Sequence, residues 1–177
     1  MTTAPMTTAS TSAAPEPTGA DPTGEDWLVA ASLAPHADGS LAPLYAGAAR
    51  GELTLPFCGA CGLAVELEQR ACDGCGSTDI DWRAVERVGV VHAATLVHRR
   101  EPGLIRATGP YPVLDVEVAS GHRLVMTTVT ASEAAPAIGQ PVAIGFRAVG
   151  GVAVPAAHLD PALPASSLPT SETEVST

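Results

Sequence analysis

The sequence predicts a mainly β protein: short helices, then a small metal-stabilised ribbon, then a closed five-stranded barrel. Three observations carry this. All four cysteines fall into two pairs, Cys58-Gly-Ala-Cys61 and Cys72-Asp-Gly-Cys75, with ten residues between them. Matched knuckles of this kind make a four-thiolate metal site. From Trp82 onward, apolar stretches alternate with Gly- and Pro-rich turn signals, without a clear internal helix, which is the pattern of a small barrel. Apolar residues make up 46% of the 177-residue chain but aromatics only 3%, so the core is built from Val, Leu, Ile and Ala.

Taken in order, residues 1–25 are Thr, Ser, Ala, Pro and Gly with a few acids. They bury too little apolar area to offset the entropy of ordering and read as a tail. Residues 161–177 read the same way. Residues 26–52 form a helical lead-in punctuated by Pro35 and Pro43. Within it Ser40 is expected to cap a short helix carrying Leu44 and Tyr45, with Gly51 ending it. Residues 53–80 form the ribbon. Leu53–Phe57 is a strand entering the first knuckle, and Leu63, Val65 and Leu67 on one parity predict a second strand between the knuckles.

Residues 81–160 form the barrel. Arg83–Val97 is expected as one long strand that bends at Gly89. The connection Arg99–Pro110 leads to Pro112–Ala119, where Leu114, Val116 and Val118 face the core and Asp115 and Glu117 face outward. Ser120-Gly121-His122 turns into Leu124–Thr130, making a hairpin. Gly139-Gln140-Pro141 opens Val142–Val149, and Gly150-Gly151 turns into Val152–Pro155.

Cys58, Cys61, Cys72 and Cys75 are the candidate metal ligands. Four thiolates complete a tetrahedral centre and leave no position for a reacting water, so the expected role is structural. Zinc is the expected ion, and iron in a rubredoxin-like centre is the alternative. Gly62 and Gly76 follow the second cysteine of each pair, where the knuckle turns back and amides point at sulfur.

The chain has nine arginines, no lysine and a formal net charge of −10. That balance is poor for gripping a polyanion. The start of the chain lacks the basic residues and apolar run of a signal peptide, and no uncharged apolar run reaches membrane-spanning length. The expectation is a cytoplasmic protein without membrane or nucleic-acid partners.

With the knuckles ahead of five strands, the chain resembles the DUF35 proteins over about Leu41 to Leu159. The resemblance rests on Gly51-Glu52-Leu53, the two knuckles, Trp82 after Cys75-Gly76-Ser77, and Gly89-Val90-Val91. It continues through Val97-His98-Arg99-Arg100, Pro110-Tyr111-Pro112-Val113, Gly121-His122-Arg123-Leu124 and Ile138-Gly139-Gln140-Pro141-Val142. It implies a rubredoxin-like zinc ribbon joined to an OB-fold. It further implies an accessory subunit of a thiolase-like acyl-CoA enzyme, in retro-aldol or thiolase-type carbon–carbon bond chemistry, steroid side chains included. A MaoC-type hydratase subunit can be fused to this module, and on this resemblance the chain would be the free-standing form. The lead-in carries Leu44-Tyr45 where the family often has bulkier aromatics. The connection Glu101–Ile105 also departs from a Pro-rich aromatic loop.

On this reading Leu41, Leu44 and Tyr45 pack either on the partner enzyme or on the chain's own barrel. Arg99, Arg100 and Arg106 either meet CoA phosphates, whose oxygens fit guanidinium forks, or line a solvated loop. Two other readings stay open. OB-folds bind single-stranded nucleic acid with stacking aromatics in a positive groove, but here only Tyr111 and Phe146 lie in the barrel. An enzyme in its own right would have to use His92, His98, His122, His158, Asp115 or Glu117, around which no nucleophile–base motif is visible. The chain is therefore read as non-catalytic alone.

Overall fold

The structure is a computed structural model that describes residues 25–159. The expected tails lie outside these residues, except for Glu25. The lead-in begins extended. Val29 forms an antiparallel bridge with Ile105, the Ala30 amide donates to Leu104 O at 2.8 Å, and the Arg106 amide donates to Leu28 O at 2.8 Å. This strap lies along the connection between the first two barrel strands. Helical structure then comes in two pieces, a 3-10 turn at Ala31–Leu33 and helix α1 at Ala42–Ala49.

Pro43 sits in the first turn of α1 as expected, but Ser40 does not cap it. Leu41 is the N-cap residue, and the Ser40 hydroxyl instead donates to the Glu68 carboxylate in the ribbon. The other end follows expectation. Gly51 takes φ +77°, its amide reaches Ala48 O, and the Glu52 amide reaches Gly47 O at 2.9 Å. That pair of bonds closes the helix in a Schellman motif. Gly47 lets α1 approach the ribbon: a Cβ there would stand 2.2 Å from Thr54 Oγ1.

Strands β1 (Leu53–Cys58) and β2 (Ile80–Val85) pair antiparallel, Cys58 opposite Ile80 and Leu53 opposite Val85. The expected strand at Leu63–Leu67 reduces to one bridge, Ala64 to Phe57. Leu63 is exposed, Val65 is buried beside the cysteines and Leu67 packs on the main core. Two bonds, Cys58 N to Leu63 O and Val65 N to Pro56 O, exhaust the pairing before the chain turns at Glu66–Gln69. The stretch expected as one strand over Arg83–Val97 is two. It breaks at Glu86–Arg87, so β2 completes the ribbon and β3 (Val88–Val97) opens the barrel.

The barrel strands β4 (Tyr111–Val118), β5 (Arg123–Met126), β6 (Pro141–Val149) and β7 (Val152–His158) join β3 in the order β5-β4-β3-β6-β7. A parallel bridge between Thr128 and Ala157 brings the two edges together, so the barrel is nearly closed. Gly89 sits where β3 pairs with both β4 and β6. A Cβ there would stand 2.6 Å from Glu117 O. The bend falls further on, in a register shift between Val91 and Ala93. Leu114, Val116 and Val118 point inward as expected and Glu117 is exposed. Leu44 of α1 and Leu53 and Leu55 of β1 share one apolar cluster with Val91, Leu114, Val116 and Ile144 of the barrel. A smaller cluster of Cys58, Val65 and Cys72 with Ile80 holds the ribbon. None of the described helices is long and apolar enough to cross a membrane.

Candidate functional site

The two knuckles are copies of one backbone device. In the first, the Gly62 amide donates to Cys58 O at 2.9 Å and the Cys58 amide to Leu63 O at 2.8 Å. In the second, the Gly76 amide donates to Cys72 O and the Cys72 amide to Ser77 O, both at 2.8 Å. Gly62 and Gly76 have φ +76° and +73°, with nothing within 4 Å of a Cβ. These glycines serve the left-handed turn and not a tight space.

The device brings all four Sγ atoms within 4.8 Å of one another. Cys58 to Cys75 and Cys61 to Cys72 are each 3.6 Å apart. Four sulfurs around one ion at a Zn–S distance of ~2.3 Å would stand ~3.8 Å apart, so the donor set fits a tetrahedral metal. Cys58 and Cys72 are buried, Cys61 and Cys75 exposed, so the site opens on one side of the ribbon.

Its electrostatics point the same way. The Cys61 amide, with that of Ala60, pulls the Cys58 thiol down to about 6. The Leu63 amide favours the Cys61 thiolate too, but hydrogen bonds with Cys72, Cys58 and Cys75 outweigh it and push that thiol up to about 12. One knuckle sulfur ionises easily and the next resists joining it. A cation between them removes the conflict. The four cysteines thus form a metal-binding site with every tetrahedral position filled by protein.

The three arginines are not gathered into one cluster. Arg99 pairs with Glu101, its Nε 2.8 Å from the carboxylate, and Arg100 donates to Thr108 O at 3.0 Å. Arg106 pairs with Glu25, which holds that carboxyl below the usual range. Arg106 also borders a shallow cleft of about 270 Å³, lined by Trp27, Thr108, Pro110, Ser132 and Glu133 among others. Leu44 is 4% exposed within the shared core, with Leu41 and Tyr45 half-buried against it.

The histidines are dispersed. His92 lies 3.8 Å from Glu117 on the outer face, His98 is exposed, and His158 lies over Gly145. His122, in the Ser120-Gly121-His122 turn, is 3% exposed. Its Nε2 donates to Pro56 O at 2.8 Å and its Nδ1 meets Ser120 Oγ at 2.9 Å, so the β4–β5 turn is fastened to the ribbon two residues before Cys58. Sequence reasoning did not find that link, nor the Asp26–Arg147 ion pair that fastens the strap to β6. An arginine inside the otherwise apolar strand Val142–Val149 was the available signal, since a buried guanidinium needs a carboxylate.

Residues 82–147 match the family model of the ChsH2 C-terminal OB-fold domain. A chain of the solved structure described as "Ltp2-ChsH2(DUF35) aldolase" is similar at 25% identity and TM-score 0.60, over 70% of this chain and 97% of that one. None of the curated proteins matches. The matched OB-fold, the likeness to the DUF35 chain of that aldolase and the four-cysteine cluster ahead of the barrel bear out the resemblance: the chain is similar to the DUF35 proteins, with a cysteine ribbon joined to a ChsH2-like OB-fold.

Proposed function

We propose that the chain is an accessory subunit of a thiolase-like acyl-CoA enzyme that makes or breaks carbon–carbon bonds, and that its own metal is a structural zinc. The observation that carries this is the likeness, over nearly the whole length of the matched chain, to the DUF35 component named in the Ltp2-ChsH2 aldolase. The filled thiolate shell supports a folding role for the metal, because a module as small as the ribbon gains its stability from the ion. The chemistry then belongs to the partner. The substrate class we assign is an acyl-CoA thioester of the retro-aldol or thiolase type, steroid side chains included. A MaoC-type hydratase is a second candidate partner.

Arg99 and Arg100 are the proposed CoA-phosphate contacts, since both guanidiniums lie at the exposed start of the β3–β4 connection. Arg99 is paired with Glu101 and Arg106 with Glu25, so each would have to release a carboxylate to meet a phosphate. Leu41 and Tyr45 offer their exposed parts to the partner, while Leu44 is committed to the core. The outward face of β4 and β5 carries Asp115, Glu117, Arg123 and Val125, and Tyr111 on the same parity is buried and cannot stack on a base, which favours a protein partner over single-stranded nucleic acid.

The test is co-purification with a thiolase-like protein, followed by acyl-CoA cleavage and condensation assays with and without this chain. A stable complex, active only when both are present, is the expected result. Arg99→Ala with Arg100→Ala should raise the KM for acyl-CoA in that complex while leaving the complex intact. No complex and no effect on activity would remove the reading.

A further inference from the structure

The barrel brings its two outer strands together, because the segment after β5 meets β7 through the Thr128–Ala157 bridge. One edge of β1 is partly covered by Leu63–Val65. The outer edge of β2 is different. Among the described residues, β2 pairs only with β1.

The ladder fixes which groups stand free there. The Gly59 amide donates to Asp79 O, while Cys58, opposite Ile80, turns its amide the other way to Leu63 O. By antiparallel alternation, Asp81, Arg83 and Val85 bond inward to β1. The N–H and C=O groups of Ile80, Trp82 and Ala84 point outward.

We infer that this edge pairs with the same strand of a second copy, antiparallel about a two-fold axis at Trp82. The self-complementarity of the charges picks that occupant. Edge strands are commonly guarded by like charges, which repel a second copy. Here the guard is Asp81 and Arg83, opposite in sign, two residues apart, and 57% and 49% exposed. A two-fold axis at Trp82 sets Asp81 of each copy directly opposite Arg83 of the other, in the closer, non-hydrogen-bonded type of pair. Ile80 then faces Ala84, and the outward groups of Ile80, Trp82 and Ala84 supply about six inter-strand hydrogen bonds. In the wrong register the same charges would oppose their own kind, so they also fix the alignment.

The contact is one short strand, well below the ~1,600 Å² of a standard interface, so the dimer is weak and concentration-dependent. The inference does not depend on the accessory-subunit reading, and it is measured on this chain alone.

Sedimentation velocity of the metal-loaded, full-length protein from about 5 to about 500 µM should show monomer giving way to dimer. Asp81→Arg and Arg83→Asp should each weaken self-association by at least about tenfold, because attraction becomes repulsion in two symmetric pairs. Mixing the two variants should restore a dimer, since 81 and 83 are again opposite in sign across the axis. Ala84→Pro removes an outward N–H without touching the β1 ladder and should also abolish pairing. Amide exchange at Ile80, Trp82 and Ala84 should slow as concentration rises. A monomer throughout that range would overturn the inference. So would charge variants that dimerise like the parent, a mixture that stays monomeric, or protection of those amides that ignores concentration and so means another segment covers the edge.

Discussion

Replacing Asp26 by Ala is the sharpest perturbation the fold offers. The Asp26 side chain is 1% exposed and Arg147 is 15% exposed. One carboxylate oxygen meets Arg147 Nη1 at 2.5 Å, and the other accepts the amides of Leu28 and Val29 at 3.0 and 2.7 Å. Among the described residues Arg147 Nε is buried with no partner, and Asp26 accepts the guanidinium's hydrogen bond. Removing one member of a buried pair costs ~3–5 kcal/mol, and the residual exposure of Arg147 places this case near ~3. At roughly 3–4 °C per kcal/mol for a chain of this size, the melting temperature should fall by about 10 °C.

The strap offers a cheaper route. If residues 25–30 peel away first, Arg147 reaches water and the global loss is smaller. Two readouts are therefore needed: urea unfolding of the metal-loaded protein, and hydrogen exchange at the Ala30 and Arg106 amides that bind the strap. Either stability falls by the full amount or those amides lose protection. Asp26→Leu with Arg147→Met, which removes both charges, should lie closer to the parent than Asp26→Ala does. An Asp26→Ala variant unchanged in both readouts would show that the pair behaves as an exposed one.

Three further outcomes are expected. Chelation, or Cys75→Ser, should release one metal per chain and expose the Cys58–Val65–Cys72 cluster. Metal analysis and thiol titration check this, and full metal retention in the variant would contradict the four-thiolate site. Gly47→Ala should destabilise by ~1–3 kcal/mol in urea despite alanine's better helix propensity, because its Cβ would stand 2.2 Å from the buried Thr54 hydroxyl; a stabilised variant would show that α1 shifts freely on β1. Asp115→Asn tests the outer face. The hydrogen bond from Arg123 holds the Asp115 carboxyl below its usual range, so its stabilisation is present above ~pH 4, the unfolded value, and is lost as pH falls through the lower folded one. The variant should be less stable than the parent at pH 7, and the gap should close on acidification; a gap that persists at the lowest pH would mean that packing, not charge, sets it.

How much of this was legible follows from the range of each interaction. The knuckles were readable because a four-thiolate site is encoded in spacing, and Gly51, Gly62 and Gly76 because a left-handed turn is local. Barrel strands were readable from alternation, as at Leu114, Val116 and Val118. Errors came where a distant contact outcompeted a local preference. Ser40 had a helix to cap and bonded Glu68 instead. Leu63–Leu67 had strand parity but only two bonds of partner. Arg83–Val97 read as one strand because periodicity does not register a change of partner, and β2 and β3 belong to different sheets.

Of the two contacts missed outright, Asp26–Arg147 fastens the strap to β6 and His122–Pro56 O fastens the barrel to the ribbon. His122 reaches Pro56 O, which also accepts the Val65 amide, so one carbonyl ties the barrel's hairpin to both ribbon segments beside the metal. Leu53 and Leu55 of the ribbon strand complete the same apolar cluster as Leu114 and Val116 of the barrel. The ribbon is therefore no loose appendage held only by its ion. Its strand β1 is an inner layer of the protein, and the metal organises the far end of that layer. Loss of the ion should then be felt first in the knuckles and transmitted along β1, through Pro56 to His122, before it reaches the barrel. A chain built this way packs its ribbon and its OB-fold around one shared core.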